Sequence, residues 1–143
     1  MIKKQILDAI SMNSRRSTED LAAMLNTGTD TIEHEIKEME DNKVICGYPT
    51  LINWDRTDCE KVTALIEVKV TPQRDMGFNK VAERIYKFEE VESVYLMSGS
   101  FDLTVIIEGK SMKEVSRFVT EKLSTLEYIT STATYFVLKK RSE

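Results

Sequence analysis

Few residues of this chain are of the types that do covalent or metal chemistry. The cysteines are Cys46 and Cys59, and the single histidine is His34. Their spacing matches no zinc pattern, and three or four nitrogen and sulfur ligands cannot be gathered from them. One histidine also leaves little for a catalytic triad or for acid–base work. No dinucleotide fingerprint, phosphate loop or nucleophile elbow is present. The sequence therefore predicts no enzyme, no cofactor and no metal. Two other groups remain. One is the turn Ser98-Gly99-Ser100 with Asp102 close behind, which on residue types alone is a turn glycine and a carboxylate that closes a hairpin. The other is the set of cations Lys3, Lys4, Arg15 and Arg16, the obvious phosphate partners of the first forty residues.

Those residues need elements to hold them. Ile2, Ile6 and Ile10 form one stripe at helical spacing, a first helix that ends near Asn13. Ser17 is the N-cap of a short second helix carrying Leu21, Ala22 and Leu25, with Asp20 in the capping-box position. Asn26-Thr27-Gly28 is a turn. Ile32, Ile36 and Met39 then mark a third helix over 29–41, with Asn42 as its left-handed C-cap. Three short helices with a tight turn fit a helix-turn-helix, and equally a plain three-helix bundle. Val44 to Trp54 is extended and carries Pro49, which suits a connecting arm better than a central strand. Val62–Val70 is a strand. Phe78, Val81, Ile85 and Phe88 face inward from a helix. Val91–Met97 and Phe101–Glu108 are strands about a tight turn at 98–100. Ser111, with Glu114, caps a helix carrying Val115, Phe118, Val119 and Leu123, and Thr132–Leu138 is the last strand. The order βαββαβ predicts a ferredoxin-like, four-stranded antiparallel sheet with both helices on one face.

The fold class is thus α+β: a helix-turn-helix domain (1–43), an extended β arm (44–59) and a ferredoxin-like βαββαβ domain (60–143). The 143 residues suffice for one domain or two small ones, and halves of this size favour oligomerisation. No apolar run approaches a membrane span and no signal peptide is read, so the cytoplasm is the expected location.

Ile45-Cys46-Gly47-Tyr48 at the start of the arm, Leu96-Met97-Ser98-Gly99-Ser100-Phe101-Asp102-Leu103 at the hairpin, and Thr130-Ser131-Thr132-Ala133-Thr134 before Phe136-Val137-Leu138-Lys139 resemble the Lrp/AsnC family of feast/famine transcription regulators over nearly the whole chain. The resemblance implies a DNA-binding N-terminal unit, an arm that pairs with a second subunit, and a C-terminal domain that assembles homodimers into an octamer. It also implies a small-molecule effector, an amino acid, at a subunit interface near the glycine hairpin. Ser98, Gly99, Ser100 and Asp102 match the hairpin, and Thr132 and Thr134 match the threonine-rich last strand. The chemistry is sensible: hairpin N–H groups suit a carboxylate and Asp102 suits an ammonium, with Tyr95 and Met97 as walls.

One departure stands out. The third helix holds Asp30, Glu33, Glu35, Glu38, Glu40 and Asp41 against Lys37 alone, and residues 1–42 carry five basic and nine acidic side chains. Residues 60–143 carry thirteen of each. Phosphate contacts dominate nucleic-acid affinity, so the expectation is weak or assembly-dependent DNA binding through Arg15, Arg16, Thr31, His34 and Lys37. The competing expectation is a small-ligand sensor and assembly module whose helix-turn-helix no longer binds DNA.

Overall fold

The computed structural model describes residues 1–139, so the predicted C-terminal boundary at 143 lies outside the described residues. The chain divides into two compact units, Met1–Leu51 and Ile52–Glu143, a division that falls inside the predicted arm.

The first unit holds three helices: α1 (Ile2–Met12), α2 (Thr18–Leu25) and α3 (Thr29–Asp41). Ile6, Leu21, Ile32 and Met39 are fully buried between them, the apolar stripes meeting as the spacing predicts. The Ser17 hydroxyl accepts the Asp20 N–H at 3.1 Å, which caps α2. Asn26 ends that helix in the left-handed region at φ 51°. The end of α3 differs from expectation. Asn42 lies at φ −86°, and it is Lys43 that turns left-handed at φ 60°. Met39 O accepts from both Val44 N–H and Ile45 N–H, at 2.8 and 3.1 Å. Closing the helix on that carbonyl places the left-handed residue one position later than Asn42. The arm beyond forms no strand within this chain, and a 3-10 turn at Trp54–Arg56 follows an Asn53 side-chain cap.

The second unit is β1 (Val62–Val70), α4 (Phe78–Tyr86), β2 (Val91–Leu96), β3 (Leu103–Gly109), α5 (Met112–Phe118) and β4 (Ile129–Phe136). The antiparallel sheet runs β2-β3-β1-β4, the ferredoxin-like order. Alternation in β1 buries Ala64, Ile66, Val68 and Val70, and these meet Val81 and Ile85 of α4 and Val115 and Phe118 of α5. Phe88 and Phe118 pack edge to face with centroids 5.5 Å apart. Ser111 caps α5 by accepting the Glu114 N–H, while Glu114 reaches one residue further back, to Lys110 N–H at 2.9 Å. The α5 backbone then passes into a π turn at Val119–Leu123, which the heptad-like spacing of apolar residues does not foretell.

Strand ends shift from the predicted ones. β4 starts at Ile129 rather than Thr132, because its register is set by pairing with β1, with a bulge at Lys69/Val70. β2 and β3 are joined by a longer loop than the predicted tight turn: Leu96 pairs with Leu103, and Met97 N–H donates to Asp102 O at 2.9 Å across the loop mouth.

Candidate functional site

Asp102 stands where three elements meet. Its N–H donates to Val68 O at 3.0 Å, and its Oδ2 accepts the Val70 N–H at 2.8 Å. Val70 is the buried residue beside the β1 bulge, so this carboxylate supplies the acceptor that the interrupted ladder withholds. Among the described residues that carboxylate accepts no other hydrogen bond. Asp102 also lines a cavity of about 810 Å³ between the hairpin and the first turn of α4. Arg74 and Asp75 come from the loop after β1, Gly77 and Lys80 from the start of α4, and Leu96 and Met97 from β2 and its exit. The cavity therefore holds cations and anions together. The α4 N-terminus has no side-chain cap, so its amides add partial positive charge at the same wall.

Of the predicted ligand residues, Asp102 lines this cavity, whereas Ser98, Gly99 and Ser100 are exposed on the loop and are not part of its wall. Gly99 is not at positive φ, and a Cβ there would meet nothing within 4 Å. Thr132 and Thr134 pair with Val68 and Ile66, on the sheet face that carries the helices. Strand β1 stands between them and the hairpin strand, so within one chain they do not join the Asp102 cavity. Met97 lines the same cavity. Tyr95 pairs with Thr104 and lies on the opposite, open face with exposed Leu65 and Tyr135. Sequence reasoning missed Arg74, Asp75, Gly77 and Lys80. The available signal was the charged stretch between Pro72 and Gly77, just after a strand and just before a helix.

In the helical unit, Thr31, His34 and Lys37 are exposed on α3, on the side away from buried Ile32 and Met39. Asp30, Glu33 and Asp41 are exposed as well, whereas Glu35 and Glu38 are part-buried against Lys3 of α1. His34 Nε2 lies 3.6 Å from Glu38 Oε2, and Lys37 Nζ lies 3.3 Å from Asp41 Oδ2. Lys3 pairs with Glu38 and Glu35 from α1, and Lys4 with Asp8. The hydrogen bond to Glu38 raises the Lys3 pKa above its ordinary value, and the same bond lowers that of Glu38. Ligand atoms of His34, Glu35 and Glu38 lie within 4.8 Å of one another, but the Lys3 ammonium already sits against both carboxylates. Arg15 is exposed and, among the described residues, has no ion pair. Arg16 is half-buried: its Nε donates to Ala9 O at 3.2 Å near the C-terminal end of α1, and Nη1 lies 3.4 Å from Met24 Sδ. The two adjacent arginines thus differ, one available to a phosphate and one joining α1 to α2.

Residues 63–143 match the Lrp/AsnC ligand binding domain. The chain belongs to the Lrp/AsnC family. Along 95% of its length it is 51% identical to the uncharacterized HTH-type transcriptional regulator YugG of Bacillus subtilis, covering 82% of that protein. It is 24% identical over 97% of its length to a proline dehydrogenase transcriptional activator of Rhizobium radiobacter, covering 88% of it. The Lrp/AsnC fold is shared with Escherichia coli AsnC at a TM-score of 0.72 and 20% identity, over 99% of this chain and 93% of that one. A Neisseria meningitidis transcriptional regulator in complex with L-methionine aligns at a TM-score of 0.76 and 21% identity, over 99% and 91% of the two chains. Lrp/AsnC proteins are transcription regulators rather than enzymes. Among the described residues of this family member, no helix is long and apolar enough to cross a membrane.

Proposed function

We propose that this chain is a DNA-binding transcription regulator whose effector is a free amino acid bound in the Asp102 cavity. The observation that carries the reading is the charge layout of that cavity. Arg74, Lys80 and the α4 N-terminus offer donors to a carboxylate, and Asp102 and Asp75 offer acceptors to an ammonium. The effector's side chain has Leu96, Met97 and Phe78 to pack on. The methionine bound by the Neisseria relative supports the ligand class. Calorimetry with a panel of amino acids tests it. Asp102→Asn keeps an acceptor for Val70 but removes the charge, and should weaken binding of whichever amino acid is found by about 1–3 kcal/mol. Equal affinity of variant and wild type moves the site elsewhere, to the Ser98–Ser100 loop with Thr132 and Thr134 of a neighbouring subunit.

DNA is engaged by α3, with Thr31, His34 and Lys37 nearest the bases and Arg15 on phosphate. The internal pairing of Lys3, Lys37 and His34 with carboxylates leaves few free cations per subunit, so affinity comes from linked subunits. Assembly begins with a homodimer through the arm and continues to an octamer, and a monomer in sedimentation at micromolar concentration would overturn it. Arg15→Ala should lower affinity for all sequences and flatten the salt dependence. The same acid-covered α3 face supports a second reading, a ligand sensor and assembly module. No binding by the assembled protein to its own upstream region at low salt would decide for that reading.

A further inference from the structure

We propose that Thr130, on β4, is a positioning residue for the Asp102 carboxylate and acts on it through the Lys69–Val70 peptide group; the inference rests on the Asp102 cavity being the effector site. The Asp102 main chain is set by its own N–H, which donates to Val68 O at 3.0 Å. Its carboxylate is aimed separately, by the Val70 N–H, which donates to Oδ2 at 2.8 Å. That N–H belongs to the same planar unit as the Lys69 carbonyl, and the Lys69 carbonyl accepts the Thr130 hydroxyl at 3.2 Å. One rigid peptide thus carries a side chain on each end, a hydroxyl from β4 on its oxygen and a carboxylate from the hairpin on its N–H.

The bulge creates this arrangement. Lys69 pairs with Ser131 and Val70 with Ile129, so Thr130 is the residue the ladder skips. Bulges occur beside binding sites because they re-aim a side chain. The C=O and N–H of a trans peptide point in opposite directions, so this plane reaches β4 on one side and the hairpin on the other. Rotating the plane would strain both bonds together. Accepting the hydroxyl also polarises the peptide and makes its N–H a stronger donor to Asp102. The Lys69 side chain adds a further tie to the hairpin, its Nζ donating to Ser100 O at 3.4 Å. A carboxylate is planar, so fixing Oδ2 fixes the other oxygen, which has no donor among the described residues and belongs to a residue of the cavity wall. A carboxylate held in place beforehand costs a ligand less ordering on binding. Thr130 itself is exposed and is not part of that wall, because β1 lies between β4 and the hairpin strand.

The test compares full-length wild type, Thr130→Val and Thr130→Ser. Valine keeps the β-branched shape and loses the hydroxyl, whereas serine keeps the hydroxyl. Calorimetry with L-methionine and L-leucine reads affinity, and the Val70 amide proton shift in ligand-free protein reads the bond to Asp102. Thr130→Val should weaken whichever amino acid binds about two- to tenfold, the loss expected of one hydrogen bond, and should move the Val70 proton upfield. Thr130→Ser should keep both near wild type. Added to Asp102→Ala, Thr130→Val should cost no further affinity, because the carboxylate it acts through is gone. A general weakening of β4 would instead cost the same in both backgrounds. Wild-type affinity or an unmoved Val70 signal in Thr130→Val, valine-like behaviour of Thr130→Ser, or an equal loss in the Asp102→Ala background overturns the proposal. Binding of neither amino acid to the wild type overturns the effector reading of the cavity, and the Val70 signal, which needs no ligand, then decides the role of Thr130.

Discussion

Replacing Asp102 by alanine should destabilise the second unit as well as empty its cavity of charge. The Val70 N–H is held by Asp102 Oδ2 at 2.8 Å, and Val70 is 6% exposed. Alanine leaves that amide without an acceptor, and the register shift between Lys69 and Val70 denies it a ladder partner. An orphaned buried donor costs about 1–3 kcal/mol. For a domain of this size that corresponds to a fall of roughly 4–24 °C in the thermal midpoint, at about 4–8 °C per kcal/mol. Asparagine keeps a carbonyl oxygen in reach of the same N–H and loses only the charge assistance, so its fall should be the smaller. The assay is differential scanning calorimetry of wild type, Asp102→Ala and Asp102→Asn at one protein concentration, since assembly makes the midpoint concentration-dependent. Equal midpoints for the two variants would refute the reasoning. An alanine variant as stable as wild type would show that the Val70 amide has another acceptor.

Ser17→Ala removes the α2 cap and should cost about 0.5–2 kcal/mol, read as a lower urea midpoint. Arg16→Ala should lower that midpoint too, because Arg16 holds the Ala9 carbonyl, while Arg15→Ala should not. The contact between Lys3 and Glu38 gives a signed pH dependence. Glu38 is lowered from 4.5, so its contribution is present above that value and is lost as pH falls through the lower folded value. Lys3 is raised from 10.5, so its share is present below 10.5 and is lost only as pH rises through the higher folded value. The stability difference between wild type and Lys3→Gln should therefore be flat across neutral pH and shrink below about pH 4.5, as urea titrations at stepped pH would show.

What could be read from sequence was the local chemistry. Ser17, Asn26 and Ser111 act through groups one to four residues away, and each takes its expected part as cap or turn. The alternation of β1 and the βαββαβ order survived because they depend on burial, which side-chain type encodes directly. The errors lie where distant groups decide. Lys43 displaces Asn42 as the left-handed residue because the Met39 carbonyl collects two amides. β4 begins three residues early because β1 extends its pairing past a bulge. At the candidate cavity, Asp102 was legible as a hairpin carboxylate, but its bond to Val70 joins residues 32 apart and no spacing rule reveals it. Arg74 and Lys80 gained their place only when the sheet brought the β1–α4 connection beside the hairpin.

The left-handed residue at Asn26 has a consequence for how α3 is aimed. Thr27 N–H donates to Ala22 O at 3.0 Å, and Gly28 opens α3 two residues after Asn26. The angular phase of α3 about its own axis is thereby set twice, by the buried Ile32–Met39 stripe and by the length of this corner. Each residue of helix advances the phase by about 100°. Adding or deleting one residue in the corner would set the two rulers against each other. If the corner prevailed, His34 would swing from opposite the core to its flank and a carboxylate would be driven inward. Corner length is therefore a tighter constraint on this unit than corner composition.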